Sequence, residues 1–207
     1  MNETDFLLWV RGPGLNIAIG IFLLGVIWRL GEIYSLGRKP DLSAPREASG
    51  ASGLHTVFRR SMPPPGMVRR SPVSYIGGYI FHVGLAIIVF LFAPHIKLIE
   101  NLTGISWPAL PSQVVDLVTV ITLLAMVVML VDRNTKQVKR YLSGFEDYFA
   151  WAVTFLPVLT GYLAVQHLLL PYTTMLALHI LSVEILLVVL PFTKLFHAFS
   201  LFGSRWY

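Results

Sequence analysis

The chain of 207 residues is 55% hydrophobic and only 13% charged, carries a formal net charge of +5 and contains no cysteine, and its mean hydropathy is +0.68. So few charges exclude an ordinary soluble domain, and the missing cysteine excludes disulfides, cysteine-ligated iron–sulfur clusters, thiolate haem ligation and covalent c-type haem attachment. The positive charge lies in connections between apolar runs, a pattern that membrane topology accounts for without nucleic acid.

The first apolar run, about Leu15 to Tyr34, has Trp9 before it and Trp28 and Tyr34 near its far end, where interfacial aromatics belong. It lacks a small-residue cleavage site after its apolar core and reads as a retained helix. Further runs follow at about Tyr75 to Ile99, Gln113 to Val131, Tyr148 to Leu168 and Tyr172 to Ser200. Each reaches across a hydrocarbon core of ~30 Å, where only helix satisfies its own backbone. The expectation is one all-α domain over residues 1–207, an integral membrane bundle of five transmembrane helices with its termini on opposite sides.

A long connection, residues 35–72, contains Arg38, Lys39, Arg46, Arg59, Arg60, Arg69, Arg70 and the run Pro63-Pro64-Pro65. The next loop on that side carries Arg133, Lys136, Lys139 and Arg140, while the other side has little beyond Arg11 and Lys97. The positive-inside rule then places the N-terminus outside and the C-terminus in the cytoplasm, and the protein in a bacterial or archaeal cytoplasmic membrane as a multi-pass protein. The basic loop is either a solvated linker or a docking surface for a cytoplasmic subunit.

Histidines carry the chemistry. His179 and His197 are eighteen residues apart, five whole helical turns, so an unbroken helix would present both on one face ~27 Å apart along its axis. The second run contributes His82 and His95. With that run directed outward and the fifth inward, His82 pairs with His197 near the inner side and His95 with His179 near the outer side. Imidazole in hydrocarbon needs a partner, and two such pairs are natural axial ligand sets for two bis-histidine haems. The alternative is four buried histidines bonded to backbone or to one another. His82 and His95 are thirteen residues and roughly 220° apart on an ideal helix, so one must be reoriented. Pro94 supplies the means, by removing a backbone hydrogen bond beside His95.

The stretch Phe81-His82-Val83-Gly84-Leu85, with Pro94-His95, Thr160-Gly161-Tyr162-Leu163, His179 and Leu190-Pro191-Phe192-Thr193-Lys194-Leu195-Phe196-His197, resembles the gamma subunit of respiratory nitrate reductases. It is more similar still to the cytochrome b subunits of sulfite-reductase-linked and heterodisulfide-reductase-like membrane complexes. The resemblance spans about Ser74 to Ser200. It implies a five-helix bundle with two b haems that exchanges electrons between membrane quinone and an iron–sulfur partner on the inner side. The thirteen-residue histidine gap is longer than in the nitrate reductase subunit.

A quinone pocket needs polar groups that bind its oxygens and pass protons. Lys97, Asp116 and Glu184 are the candidates for menaquinone or ubiquinone. Lys97 and Glu100 equally suit interfacial snorkelling, Asp116 the start of the third helix, and Glu184 a protonated carboxyl bonded to a neighbouring helix. His55 reads as solvent-exposed and His167 as interfacial, while Arg29, Arg59, Arg60, Arg69, Arg70 and Lys194 suit haem propionates, an acidic partner or anionic lipid. The sequence thus predicts the dihaem, quinone-reactive membrane subunit of a multisubunit oxidoreductase, with no soluble-substrate catalysis by this chain alone. The competing classes are a haem-free anchor for a soluble redox enzyme and a transporter, the latter disfavoured by the absence of a repeated half.

Overall fold

The computed structural model describes residues 2–37 and 53–205, without the side chains of Phe202 and Arg205; Arg38, Lys39 and Arg46 of the basic connection lie outside the described residues. Among these residues there is no strand, and five helices are long and apolar enough to cross a membrane. The protein is an all-α membrane bundle. Below, the N-face is the end of the bundle that carries the N-terminus and the C-face is the opposite end.

The first span starts earlier than the hydropathy alone places it. Helix α1 (Glu3–Trp9) opens on a capping box, in which Asn2 Oδ1 accepts from the Asp5 amide at 2.8 Å and Asp5 Oδ2 accepts from the Asn2 amide at 3.2 Å. A π-helical turn, Val10–Gly14, carries Pro13 into helix α2 (Leu15–Ser35), so the span runs for 33 residues. The wide turn accommodates a proline that has no N–H to donate, and the chain continues without a loop.

Two short helices, α3 (Gly53–Ser61) and α4 (Met67–Arg70), lie on the C-face before helix α5 (Pro72–Leu91) crosses the bundle. The second apolar run is not one helix. It stops at Phe92, whose extended backbone (φ −88°, ψ 127°) starts helix α6 (Ala93–Thr103), with Pro94 in the first turn where a missing N–H costs nothing. The break strands carbonyls of the last turn of α5, and each of three finds a donor. Ile88 O accepts from His95 Nδ1 at 2.7 Å, Phe90 O from Trp107 Nε1 at 2.5 Å and Leu91 O from the Leu110 amide at 2.9 Å.

Helix α7 (Ser112–Thr135) returns to the C-face, α8 (Gln137–Leu142) caps it there, and α9 (Phe145–Val165) crosses again. The fifth run also breaks. Helix α10 (Tyr172–Val189) passes into a 3₁₀ turn at Leu190–Phe192, an extended Thr193 (φ −123°, ψ 178°) and a second 3₁₀ turn at Lys194–Phe196, before α11 (His197–Arg205). Pro191 terminates the α-helical ladder. His179 and His197 therefore do not share the face of one continuous helix, which corrects the sequence expectation.

Helix α10 packs on α9 and on the α1–α2 span, α7 on α5 and α9. Small residues set the closest approaches. A Cβ added at Gly84 would stand 2.0 Å from Thr122 Oγ1, one at Gly77 would stand 2.8 Å from Met129 Cγ, and one at Gly25 would stand 2.8 Å from Pro191 Cβ. Without a hydrophobic drive between helices in lipid, such backbone proximity is what packing depends on. On the C-face, Asp132, nearly buried, pairs with Lys136 at 2.7 Å and with Lys139, and Lys139 Nζ also donates to Ser74 Oγ at 2.6 Å, tying α8 to the start of α5.

Gly84→Ala is expected to destabilise the bundle by about 1–3 kcal/mol through overpacking, measured by reversible unfolding in mixed micelles. Thr122→Ala in the same chain removes the clashing hydroxyl and should recover most of that loss; an unrecovered double variant would show that the α5–α7 contact is not the cause.

Candidate functional site

Both predicted histidine pairs form. The His82 and His197 rings lie with centroids 6.1 Å apart at 71°, and the His95 and His179 rings lie 6.1 Å apart at 22°. The first pair joins the middle of α5 to the start of α11. The second joins α6 to α10 towards the N-face. The break at Phe92 removes His95 from the α5 spiral and turns it toward His179, which resolves the 220° mismatch of an unbroken helix.

All four rings are fixed in the same way. Nδ1 of His82 contacts Gly78 O at 2.7 Å, that of His95 Ile88 O at 2.7 Å, that of His179 Pro157 O at 3.0 Å and that of His197 Lys194 O at 2.8 Å. A carbonyl only accepts, so each Nδ1 carries the proton of that bond, and in a neutral ring Nε2 is then the unprotonated nitrogen. None of the four Nε2 atoms has a hydrogen-bond partner among the described residues. This is the arrangement that orients a metal-ligating imidazole. Two metal–nitrogen bonds of about 2 Å, with the span of the two rings, come to about 6 Å between ring centres, close to the separation that both pairs show.

Local sequence explains the supports. Gly161 clears room for His179, since a Cβ there would meet the ring at 2.9 Å, and Thr160 Oγ1 lies 3.4 Å from His179 Nδ1. The turn that carries His197 is held to α9, where Lys194 Nζ reaches Asp147 at 3.1 Å and Glu146 at 3.7 Å, and Arg133 reaches Asp147 at 3.8 Å. Arg29, on α2, stacks over Phe196 at 5.7 Å and binds Glu32 at 2.5 Å, yet its buried Nε has no partner. An anion beside the C-face pair would complete it.

The N-face pair borders a cavity of about 400 Å³ whose polar lining includes Arg11, Lys97, Asn101, Asp116, Tyr162 and Tyr172. Lys97 is mostly exposed and paired with Glu100 at 2.8 Å. Asp116 lies beyond the first turn of α7, which begins at Ser112, so helix capping does not explain it. Glu184 is not there. It is 6% exposed and faces Gly14 and Trp9 of the first span, with Oε1 lacking a partner, so the three expected quinone residues divide between two places. Five residues of helix separate His179 from Glu184, about 140° of rotation, a signal available in the sequence.

His55 is exposed on α3, and His167 sits in the N-face turn after α9, its ring 5.0 Å from Tyr172. Arg11 is the site residue that sequence reasoning missed. Placing the first span at Leu15 left it in solvent, whereas the π-turn carries it to the cavity.

No protein-family model matches the chain, and no solved structure matches it. It is 32% identical over 194 residues to a protein of Nitratidesulfovibrio vulgaris (strain Hildenborough), an alignment that covers 93% of this chain and 82% of that protein.

Asp147→Ala and Lys194→Ala are expected to be non-additive, with a coupling energy of about 0.5–1 kcal/mol in a double-mutant cycle of unfolding free energies. Additive losses would mean that this ion pair does not secure the turn bearing His197.

Proposed function

The chain belongs to the family of that Nitratidesulfovibrio vulgaris protein, and we propose that it is the dihaem b membrane subunit of a respiratory oxidoreductase. In this reading it transfers electrons between membrane quinone, menaquinone or ubiquinone, and an iron–sulfur subunit on the C-face. The observation that carries it is the common state of four histidines. Each has Nδ1 locked on a backbone carbonyl and Nε2 bare, and they meet in two pairs with identical ring separation. A histidine that serves only helix packing can bond a carbonyl in the same way; the meeting of the four rings in two pairs of equal separation is what adds support for the haem reading.

When bound, the two haems would supply one-electron carriers at two depths of the bilayer. The residues do the remainder. His82 with His197, and His95 with His179, would hold the two haem irons. The Arg29 guanidinium, stacked over Phe196 next to His197, would supply positive charge toward a propionate there. In the N-face cavity, Asp116 would accept a hydrogen bond and then a proton from a quinol hydroxyl. Lys97 and Glu100 lead from the cavity to water. Arg11 and Lys97 add positive charge that suits propionates or a quinol anion.

Arg59, Arg60, Arg69, Arg70 and Arg140 are exposed on the C-face. In this reading that face looks into the cytoplasm by the positive-inside rule, and the membrane is the cytoplasmic membrane of a bacterium or archaeon. The same charges suit an acidic docking partner, the iron–sulfur subunit of this reading.

The first test is the dithionite-reduced minus oxidised spectrum of the purified protein, with haem counted as pyridine haemochromogen. Two b haems per chain are expected, and His82→Ala and His179→Ala should each retain one. A colourless wild-type protein would leave a haem-free anchor as the reading. In redox titration, Arg29→Gln should lower one midpoint potential by roughly 30–60 mV, where 59 mV is tenfold for a one-electron couple, and leave the other unchanged.

A further inference from the structure

Helix α3, on the C-face, is two-sided. On a helical wheel Val57, Leu54 and Phe58 fall within an arc of about 100°, with Arg60 beyond one edge of it and Arg59 beyond the other. Val57 is buried, whereas Leu54 and Phe58 are 56% and 68% exposed, so the protein covers one edge of the apolar arc and leaves the rest open. Met62, just past the helix, is exposed as well.

The contacts of α3 with the bundle fix its depth. At its end the Tyr79 hydroxyl donates to Ser61 O, and along its length α3 packs on α11. Tyr79 stands in the row Ile76, Tyr79 and Val83, three exposed residues on one face of α5, and such a face of a membrane span looks toward lipid. The 20 residues of α5 reach about 30 Å, the whole hydrocarbon thickness. Tyr79 is seven residues past Pro72 at the C-face start of α5, about 10 Å of helix, and side chains lean toward a helix's N-terminus, here toward the C-face. The end of α3 therefore lies beside a lipid-facing flank, within about 10 Å of the hydrocarbon edge. Amphipathic helices settle in a bilayer surface at this level.

Charge selects the lipid. No acidic residue stands between Glu47 and Glu100. Acids elsewhere on the C-face are already matched, Glu32 by Arg29, Asp132 by Lys136 and Lys139, and Asp147 and Glu146 by Lys194. Arg59 and Arg60 have no carboxylate partner among the described residues. A zwitterionic headgroup brings no net charge to them, and an anionic one does. A soluble acidic protein would match the arginines but leave Leu54 and Phe58 uncovered at the level of the acyl chains.

We propose that α3 is an interfacial helix that binds anionic phospholipid, with Leu54 and Phe58 among the acyl chains and Arg59 and Arg60 on the headgroups. Neither haem nor quinone enters this assignment, which takes two of the basic residues of the C-face for lipid and leaves Arg69, Arg70 and Arg140 to a soluble partner.

The chain has no cysteine, so Phe58→Cys gives one site for a bimane label in the full-length protein. The labelled protein is placed in vesicles of phosphatidylglycerol and phosphatidylcholine in equal parts, with bromine on the acyl chains of one lipid or the other. Brominated phosphatidylglycerol should quench the label roughly fivefold more strongly than brominated phosphatidylcholine, the factor that one basic residue near an anionic surface contributes. Adding Arg59→Gln and Arg60→Gln should bring that ratio to about one. Leu54→Cys, the second site, should behave in the same way and serves if the Phe58 variant does not fold. No quenching by either lipid, with the label emitting as in water, overturns the proposal and leaves the helix to a soluble partner. Equal quenching by both lipids, or a ratio that survives loss of both arginines, overturns it too. The readout needs no haem, so a colourless protein would sink the dihaem reading and leave this result standing.

Discussion

A neutral imidazole in hydrocarbon has one N–H to place, and the architecture of this bundle depends on where four of them go. An unbroken helix offers few spare carbonyls, since each already accepts from the amide four residues on. Three of the four acceptors lie at or near a proline. Ile88 O is freed by the break before Pro94, Pro157 supplies its own carbonyl within α9, and Lys194 O belongs to the 3₁₀ turns that follow Pro191. His82 uses the carbonyl of its own helix, that of Gly78 one turn earlier, a bond that short polar side chains also make. At the break before Pro94 the chain therefore does two things: it ends a helix, and it leaves an acceptor, Ile88 O, for an imidazole.

Those interruptions create a second obligation. A carbonyl left bare at the end of α5 is as costly in a bilayer as an unpaired imidazole. The segment between α6 and α7 meets it by folding back, so that the Trp107 indole and the Leu110 amide cover Phe90 O and Leu91 O. At the other end, the turn bearing His197 is held by charge, through Lys194, Asp147 and Glu146. The two pairs are thus supported by different physics. Near the N-face the supports are backbone hydrogen bonds; on the C-face, where water reaches, they are ion pairs.

Much of this was legible in the residues. Five spans, their alternating direction and the pairing of His82 with His197 and of His95 with His179 follow from hydropathy and histidine depth. The reorientation of His95 follows from Pro94. The break at Pro191 was equally available, but the apolar run Leu186 to Leu190 flows into it and hides the stop that Pro191 and Thr193 jointly signal. The π-turn was not legible. Nothing in Val10-Arg11-Gly12-Pro13-Gly14 distinguishes a loop from a widened helical turn, because Gly and Pro serve both. Missing it moved the first span by twelve residues and left Arg11 and Gly14 out of every site.

The consequence reaches the polar groups of α10. His179 and Glu184 are close in sequence and point to different neighbours, His179 to α6 and α9, Glu184 to the first span. A single site that uses both would need the helix to present two faces about 140° apart to one ligand. Helix α10 cannot do so while packed on both α9 and α2. The separation is therefore built into the bundle: α10 stands between two neighbours and serves each with one ionisable side chain, histidine where α9 presents the Pro157 carbonyl and glutamate where a glycine supplies space.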